Sequence, residues 1–197
     1  MAGRPRGIDD AVILQAAVEV MGRTGPSKLT LARVAQEVGL APGTLMQRFG
    51  SKRGLLLALA EHTAKDTHTL HNRVRAEDGS PLAALKALVV EVWGAAAAPE
   101  AFAHHLAFLC EDLEDPQFRD LALASHQAQA RVLRSLLEQA VNADELRPDT
   151  DTSLLAGTVQ ATAIGTGLLW AVDHEGTLEL RQRNALAAVL APHSNRP

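Results

Sequence analysis

The sequence predicts an all-α protein with two parts. Residues 1–52 are expected to form a three-helix unit of helix-turn-helix type, and residues 53–197 a larger helical domain. The first observation behind this is helical periodicity, such as Leu31, Val34, Ala35 and Val38 at i, i+3, i+4 and i+7. The second is that no stretch alternates in the manner of a half-buried strand. With 197 residues and 47% hydrophobic residues, the chain can bury a substantial core.

Start and stop signals delimit the three N-terminal helices. The first helix is predicted over Asp9–Arg23, where acids occupy the first turn and a Thr-Gly-Pro break follows. Thr30 is placed as the N-cap of the second helix, and Gly39 can end it in a left-handed conformation. Pro42 suits the first position of the third helix, which buries Leu45 and Phe49 on one side. The turn between the second and third helices is therefore short.

The opposite side of the third helix carries small, polar and cationic residues, as a helix lying in a DNA major groove requires. The residues predicted to contact bases or to line the groove are Gly43, Thr44, Met46, Gln47 and Arg48. Those predicted to lie mainly on phosphates are Thr30, Arg33 and Lys52. Gln47 is the best candidate for base readout because its carboxamide can pair with an adenine edge.

The segment LTLARVAQEVGLAPGTLMQRFGSKRGLL resembles the DNA-binding domain of the TetR family of transcriptional regulators. Two positions depart from the family pattern: Met46 and Arg48 stand where aromatic residues are usual, and the chain contains no tyrosine. Ala41 also replaces a frequent hydroxyl cap, which would cost the helix about 0.5–2 kcal/mol. The resemblance implies a DNA-binding domain, residues 1–52, which we call the reader. It is followed by a domain that binds a ligand and forms a dimer.

Charge and cysteine content limit the functional classes. Residues 1–53 hold eight Lys/Arg against four Asp/Glu, whereas the remainder holds eleven against nineteen. This modest positive surplus at the reader suits a site-specific DNA binder better than a general coat for nucleic acid. The single cysteine, Cys110, and an N-terminus without an apolar run favour a reducing cytoplasm. No nucleophile with its base, metal cluster or phosphate loop is evident, so we expect no enzyme, no metal and no cofactor.

Six further helices are predicted after the reader. A long helix from Ser51 to about Arg75 would connect the reader to the rest of the chain. The others are expected at 81–98, 99–115, 117–143, 152–172 and 178–190. Residues 192–197 are expected to be loose.

The segment 152–172 has no charged residue and could cross a membrane on length alone. We reject that interpretation because threonines and glycines lower its hydropathy and no basic cluster flanks it. Small residues recur at i, i+4 and i+8 at Gly157, Ala161 and Gly165, which would let two helices approach closely. The pattern predicts a packing seam, and we place the interface of a homodimer there.

The C-terminal domain contains the aromatic and histidine residues expected to form a ligand cavity. Core packing is the plainer explanation for any one of them. The alternative is a mostly apolar cavity with a few polar tips, as small-molecule sites usually are. The residues predicted to line it are Trp93, Phe102, His105, Phe108, His126 and Trp170.

Together these observations predict a DNA-binding regulator that represses transcription from a palindromic double-stranded operator. A small, largely apolar effector would release it, and no membrane is involved. The rival hypothesis is a ligand-binding or scaffolding helical protein whose reader has degenerated, as the residues at positions 41 and 46 would allow.

Overall fold

The computed structural model describes residues 8–62, 79–94 and 98–195, without the side chains of residues 93, 94, 111 and 112. Within these ranges the chain is helical, and the extended backbone forms only one isolated antiparallel bridge. The predicted all-α class is confirmed. The predicted continuation of the connecting helix to Arg75 lies largely outside the described residues.

Four helices form the N-terminal bundle, and their ends agree with the sequence signals to within about two residues. They are α1 (Asp10–Thr24), α2 (Leu31–Glu37), α3 (Pro42–Phe49) and α4, which is described over 52–62. A 3-10 turn, Pro26–Lys28, joins α1 to α2. The side chains of Asp9 and Thr30 cap α1 and α2, which explains where these helices begin.

Five helices follow in the C-terminal part: α5 (Pro81–Gly94), α6 (Pro99–Glu114), α7 (Pro116–Asn142), α8 (Thr152–Asp173) and α9 (Leu178–Leu190). Proline occupies the first turn of α6 and α7, and the caps of α7, α8 and α9 are the side chains of Asp115, Asp151 and Thr177. These cap and proline signals are local, which is why the sequence located the helices well.

The apolar residues separate into two main cores. The N-terminal core joins α1, α2 and α3 to Leu55, Leu56 and Leu59 of α4, and Phe118 of α7 enters it from the C-terminal part. The second core lies between α5, α7, α8 and α9. The boundary between residues 52 and 53 remains a prediction, but the apolar side chains that follow it pack with the reader.

The expectation of a loose C-terminal tail is wrong for residues 192–195. The backbone N–H of Arg147 donates to the carbonyl of His193 at 2.8 Å, and that of Asn195 donates to the carbonyl of Glu145 at 3.1 Å. These two bonds frame the isolated bridge between Leu146 and Ser194. Because the partners lie almost fifty residues apart in the sequence, no local signal revealed them.

α8 is, in the described part of the chain, the one helix that is long and apolar enough to span a membrane by length and composition. It packs against α6, α7 and α9. Leu155, Ala156, Val159 and Ala163 lie on its buried side, in the second core. This packing accounts for part of its apolar character, while other apolar residues of α8, such as Leu168 and Leu169, are exposed.

Candidate nucleic-acid interface

α3 buries one side in the N-terminal core and exposes the other. Leu45 is fully buried, and Phe49 packs partly buried against the same core. On the opposite side Gly43 and Gln47 are exposed, and 54% of Met46 is accessible. The predicted division of α3 into a packed side and an exposed side therefore matches the observed burial.

Two turns fix the orientation of α3. Gly39, within the α2–α3 turn, has φ +68°, and Gly50, directly after α3, has φ +71°, conformations that glycine adopts without strain. Ser51 then caps α4, because its Oγ accepts from the N–H of Gly54 at 3.0 Å. A Cβ at Gly54 would overlap the carbonyl oxygen of Phe49, so this close approach requires glycine. Ala41 provides no side-chain cap, as its residue type implies.

Arg48 is not free on the exposed side of α3. Its Nη1 donates to the carbonyl of Ile8 at 2.6 Å and lies 3.0 Å from Oδ1 of Asp10. Its side chain retains 30% exposure. Arg48 therefore ties α3 to the beginning of α1, a pairing that residues 38 positions apart could not reveal in the sequence.

The other predicted phosphate contacts are also engaged within the bundle. The Nη1 of Arg33 donates to the carbonyl of Lys28 at 3.1 Å, and the Nζ of Lys52 donates to the carbonyl of Pro26 at 2.6 Å. Thr30 accepts from the N–H of Arg33 at 3.2 Å. Each cation retains further N–H groups beyond these bonds, since an ammonium has three and a guanidinium five.

A polar corner joins the start of α4 to the start of α7. The Nη2 of Arg53 lies 2.8 Å from Oδ2 of Asp115 and donates to Oε1 of Gln117 at 3.0 Å. The guanidinium carbon lies 5.4 Å from the centre of the Phe118 ring. The hydrogen bond from Arg53 is the main reason that the pKa of Asp115 lies below its usual value. Sequence analysis missed this corner because its partners are about sixty residues apart.

α6 makes a second connection to the reader. The Nδ1–H of His104 donates to the carbonyl of Gly22, near the end of α1, at 2.7 Å. The ring also lies against Gly25, where an added Cβ would come within 3.2 Å of it. The C-terminal part therefore contacts the N-terminal bundle in two places, through α6 at Gly22 and through the start of α7 at Arg53 of α4.

The six residues predicted to line a ligand cavity are dispersed in the structure. Phe102 and Trp170 are buried together with Leu178, while Phe108 lies edge-to-face with Phe118 beside the N-terminal core. His105 bonds to a carbonyl of its own helix and lies near Gly22. His126 pairs with Gln160, and the side chain of Trp93 is outside the described residues. The proposal of one cavity lined by all six therefore gains no support from their positions.

A small cavity lies instead between α5, α7 and α8. Its volume is about 30 Å³, and apolar side chains of these helices line most of it, together with Gln129 and Gln160. Nε2 of Gln160 donates to Oε1 of Gln129 at 3.1 Å and lies 3.0 Å from Nδ1 of His126. Among the predicted ligand residues whose side chains the structure describes, His126 is thus the one that adjoins this cavity.

Gln182 of α9 is a buried polar residue that the sequence did not indicate. Its side chain is only 1% exposed, and neither its Nε2 nor its Oε1 has a hydrogen-bond partner in the part of the chain that the structure describes. It lies on the buried face of α9 between Leu178 and Leu186, which belong to different cores. The sequence alone does not indicate that this carboxamide is buried.

The predicted dimer residues lie on the outer side of α8. Gly157 and Ala161 are exposed and Gly165 is half-buried. A Cβ at Gly157 or Gly165 would meet nothing within 4 Å. Large apolar residues are exposed on α8 and α9, namely Leu154, Leu168, Leu169, Val172 and Leu180. The third glycine of α8, Gly167, faces inward, where a Cβ would overlap the ring of Phe102.

The N-terminal part is a helix-turn-helix module. It has a short turn between α2 and α3, an exposed side of α3 and a supporting α1, and a helical domain follows it. The family model described as bacterial regulatory proteins of the tetR family matches residues 13–59. This range covers most of α1, all of α2 and α3 and most of the described part of α4. The N-terminal module is therefore similar to the regulatory proteins of the tetR family.

Relatives extend the comparison beyond the reader. The transcriptional regulator BetI of Paraburkholderia xenovorans is 32% identical over 118 residues, which is 59% of this chain and 60% of BetI. The regulatory protein RaaS of Mycobacterium tuberculosis is 28% identical over 172 residues, 87% of this chain and 75% of RaaS. This chain thus aligns with only about 60% of the length of the BetI proteins it matches.

Solved structures show the same fold over nearly the whole chain. A transcriptional regulator from Saccharomonospora viridis in complex with choline has a TM-score of 0.74 and 18% identity, and the match covers 92% of this chain and 95% of that one. FadR from Bacillus subtilis in complex with stearoyl-CoA has a TM-score of 0.68 and 17% identity, covering 93% and 98%. At these identities the likeness concerns the fold.

Proposed function

We propose that the chain is a sequence-specific DNA-binding repressor of the cytoplasm, released from its operator by a small, largely apolar ligand. The observation that carries the proposal is the exposed side of α3, held by two glycine turns and by Arg48 on an intact N-terminal core. Gly43, Thr44, Met46 and Gln47 would enter the major groove, with Thr30, Arg33 and Lys52 near phosphates.

A gel shift with the DNA upstream of the chain's own gene tests this function. Unlabelled operator should compete for binding, whereas scrambled DNA of the same length should not. Gly43→Leu should abolish the shift, because its side chain would occupy the groove face but meets no atom of the free protein within 4 Å at Cβ. Ala124→Leu, at an exposed position of α7, serves as the control and should bind normally. Equal competition by scrambled DNA would contradict sequence-specific recognition.

The repressor would act as a homodimer on a palindromic operator. The exposed small residues of α8 and the large apolar residues beside them on α8 and α9 support a two-fold interface around Gly157, Ala161 and Gly165. A single reader contacts few base pairs, so two readers about 34–36 Å apart would be needed for tight specific binding.

Ala161→Leu tests this interface. The added side chain is exposed in one copy of the chain and would block close approach of a second. The variant should sediment as a monomer and lose operator binding, while Ala124→Leu should remain dimeric. A dimer of unchanged mass in the Ala161→Leu variant would eliminate α8 as the interface.

The effector would enter between α5, α7 and α8. The cavity there, about 30 Å³, has apolar walls and a polar edge at Gln129, Gln160 and His126. Ligand pockets usually measure about 300–1,000 Å³, so an effector must push these helices apart. Such a movement, carried through α4 or α6, would change the separation of the two readers.

A reciprocity measurement tests the switch. A thermal-shift screen of uncharged apolar compounds would supply a ligand, and calorimetry would then give its affinity with and without saturating operator. If the ligand weakens operator binding, operator must weaken ligand binding by the same factor, for which couplings of about 1–3 kcal/mol are typical. Equal affinities in the two titrations would rule out the switch and leave DNA binding itself untouched.

A further inference from the structure

The exposed side of α3 carries no free cation. The helix has the sequence PGTLMQRF, so Arg48 is its only charged residue. The side chains that remain for the groove, those of Thr44, Met46 and Gln47, are neutral. This composition bears on which bases the helix can recognise.

Arg48 bonds to the carbonyl of Ile8, just before α1, and to Asp10, the first residue of α1. Nη1 donates to the carbonyl of Ile8 at 2.6 Å and to Oδ1 of Asp10 at 3.0 Å. An arginine that reads guanine presents two N–H groups side by side to O6 and N7. With Nη1 bonded to the carbonyl of Ile8 and to Asp10, the guanidinium is fixed beside the start of α1, and only its Nε–Nη2 edge remains for such a pair.

The groups left on α3 match A·T pairs. The carboxamide of Gln47 can bond to N6 and N7 of adenine in a bidentate manner. The thioether of Met46, which is 54% exposed, and the methyl of Thr44 can contact the C5-methyl of thymine. Arg and Lys are the usual readers of guanine, and α3 offers neither in a free state.

We propose that α3 recognises A·T pairs in each operator half-site and that Arg48 is a positioning residue, which holds α3 against α1 so that Gln47 meets adenine. The proposal rests on the DNA-binding function proposed above and adds the base composition of the operator and the role of Arg48.

Selection from a library of randomised double-stranded DNA by the full-length protein identifies the preferred sites. The base pairs recognised by α3 should be A·T. Replacing the adenine that Gln47 reads by guanine should weaken binding about 5- to 150-fold, the equivalent of 1–3 kcal/mol for one bidentate pair. Gln47→Ala should reduce the ratio of affinities for adenine and guanine towards one at this base pair only. A ratio of affinities that stays unchanged would refute the assignment of Gln47.

Arg48→Met and Asp10→Ala separate positioning from reading. Arg48→Met removes both contacts between α3 and the start of α1, and Asp10→Ala removes one of the two. Both should therefore lower the adenine-to-guanine ratio, Asp10→Ala by the smaller factor, and leave base pairs outside the α3 contacts discriminated as before. Glu19→Ala is the matched control, since it removes an equal charge from an exposed site on α1 without contacting α3. It should leave the ratio unchanged.

If Arg48 reads a base directly, Arg48→Met will relax a G·C pair that the wild type selects, and Asp10→Ala will not. That result, or a half-site whose α3 contacts are G·C, would overturn the inference while leaving specific DNA binding in place. Enrichment of no sequence at all would overturn the proposed function and the inference with it. Unfolding of each variant, followed by circular dichroism, identifies any variant that has merely lost its fold, and Asp10→Ala then stands in for Arg48→Met.

Discussion

Replacing Gln182 by methionine should stabilise the protein. The carboxamide of Gln182 is 1% exposed, and neither of its polar atoms has a partner among the described residues. Methionine has a similar length and volume, so it can fill the same space between Leu178 and Leu186 without a polar group. The substitution removes the free-energy cost of burying two polar atoms without hydrogen-bond partners.

The size of the effect follows from that burial. A buried donor or acceptor without a partner costs about 1–3 kcal/mol, so Gln182→Met should raise the free energy of unfolding by about 1–3 kcal/mol. For a protein of this length, each kcal/mol corresponds to about 2–4 °C in Tm. The melting temperature should therefore rise by roughly 2–12 °C.

Thermal unfolding at one fixed protein concentration measures this, with Gln160→Met as the control. The carboxamide of Gln160 bonds to Gln129 at 3.1 Å and lies 3.0 Å from His126. Its replacement leaves those partners unsatisfied and should lower the Tm. If Gln182→Met also lowers the Tm, the carboxamide of Gln182 is satisfied in solution and the reasoning from its burial is refuted.

Two further predictions concern α8 and the polar corner. Gly167→Ala should destabilise the protein by about 1–3 kcal/mol of overpacking against Phe102, whereas Gly43→Ala, whose Cβ would meet nothing within 4 Å, should not. Equal Tm values for the two variants would contradict the close approach of Gly167 to the Phe102 ring. Because the folded-state pKa of Asp115 lies below 3.8, its stabilising contribution is complete above about pH 4 and is lost as the pH falls through the folded-state value. Removing the main cause with Arg53→Met should reduce stability at pH 7 and converge with the wild type in acid; a gap that widens in acid would contradict this.

The sequence predicted those features that depend on local signals. The cap Thr30 and the proline at position 42 lie next to the helix starts that they specify. Helical periodicity similarly separated Leu45 from the exposed side of α3. Such features need only the neighbouring three or four residues, because capping and amphipathicity act within one turn.

Features that depend on tertiary packing could not be predicted in this way. The bonds of Arg48 to α1 and the bridge between Leu146 and Ser194 join residues 38 or more positions apart. α6 places Phe102 in a cluster with Trp170 and Leu178, and Phe108 against the N-terminal core. Aromatic composition indicates that such side chains are buried, but it does not indicate which of them meet.

These tertiary contacts would give α6 a central position in the proposed coupling of ligand binding to DNA binding. Phe102 of α6 lies against Gly167 of α8, and His104, half a turn later, bonds to the carbonyl of Gly22 at 2.7 Å. α1 in turn holds α3 through Arg48, 2.6 Å from the carbonyl of Ile8. A displacement of α8 by a ligand must therefore either open the contact at Phe102 or move α6, and a movement of α6 acts on the helix that orients α3. Because protein interiors are close-packed and yield little, we expect α6 to move. Its movement would transmit the displacement to the reader, alongside the connection through α4.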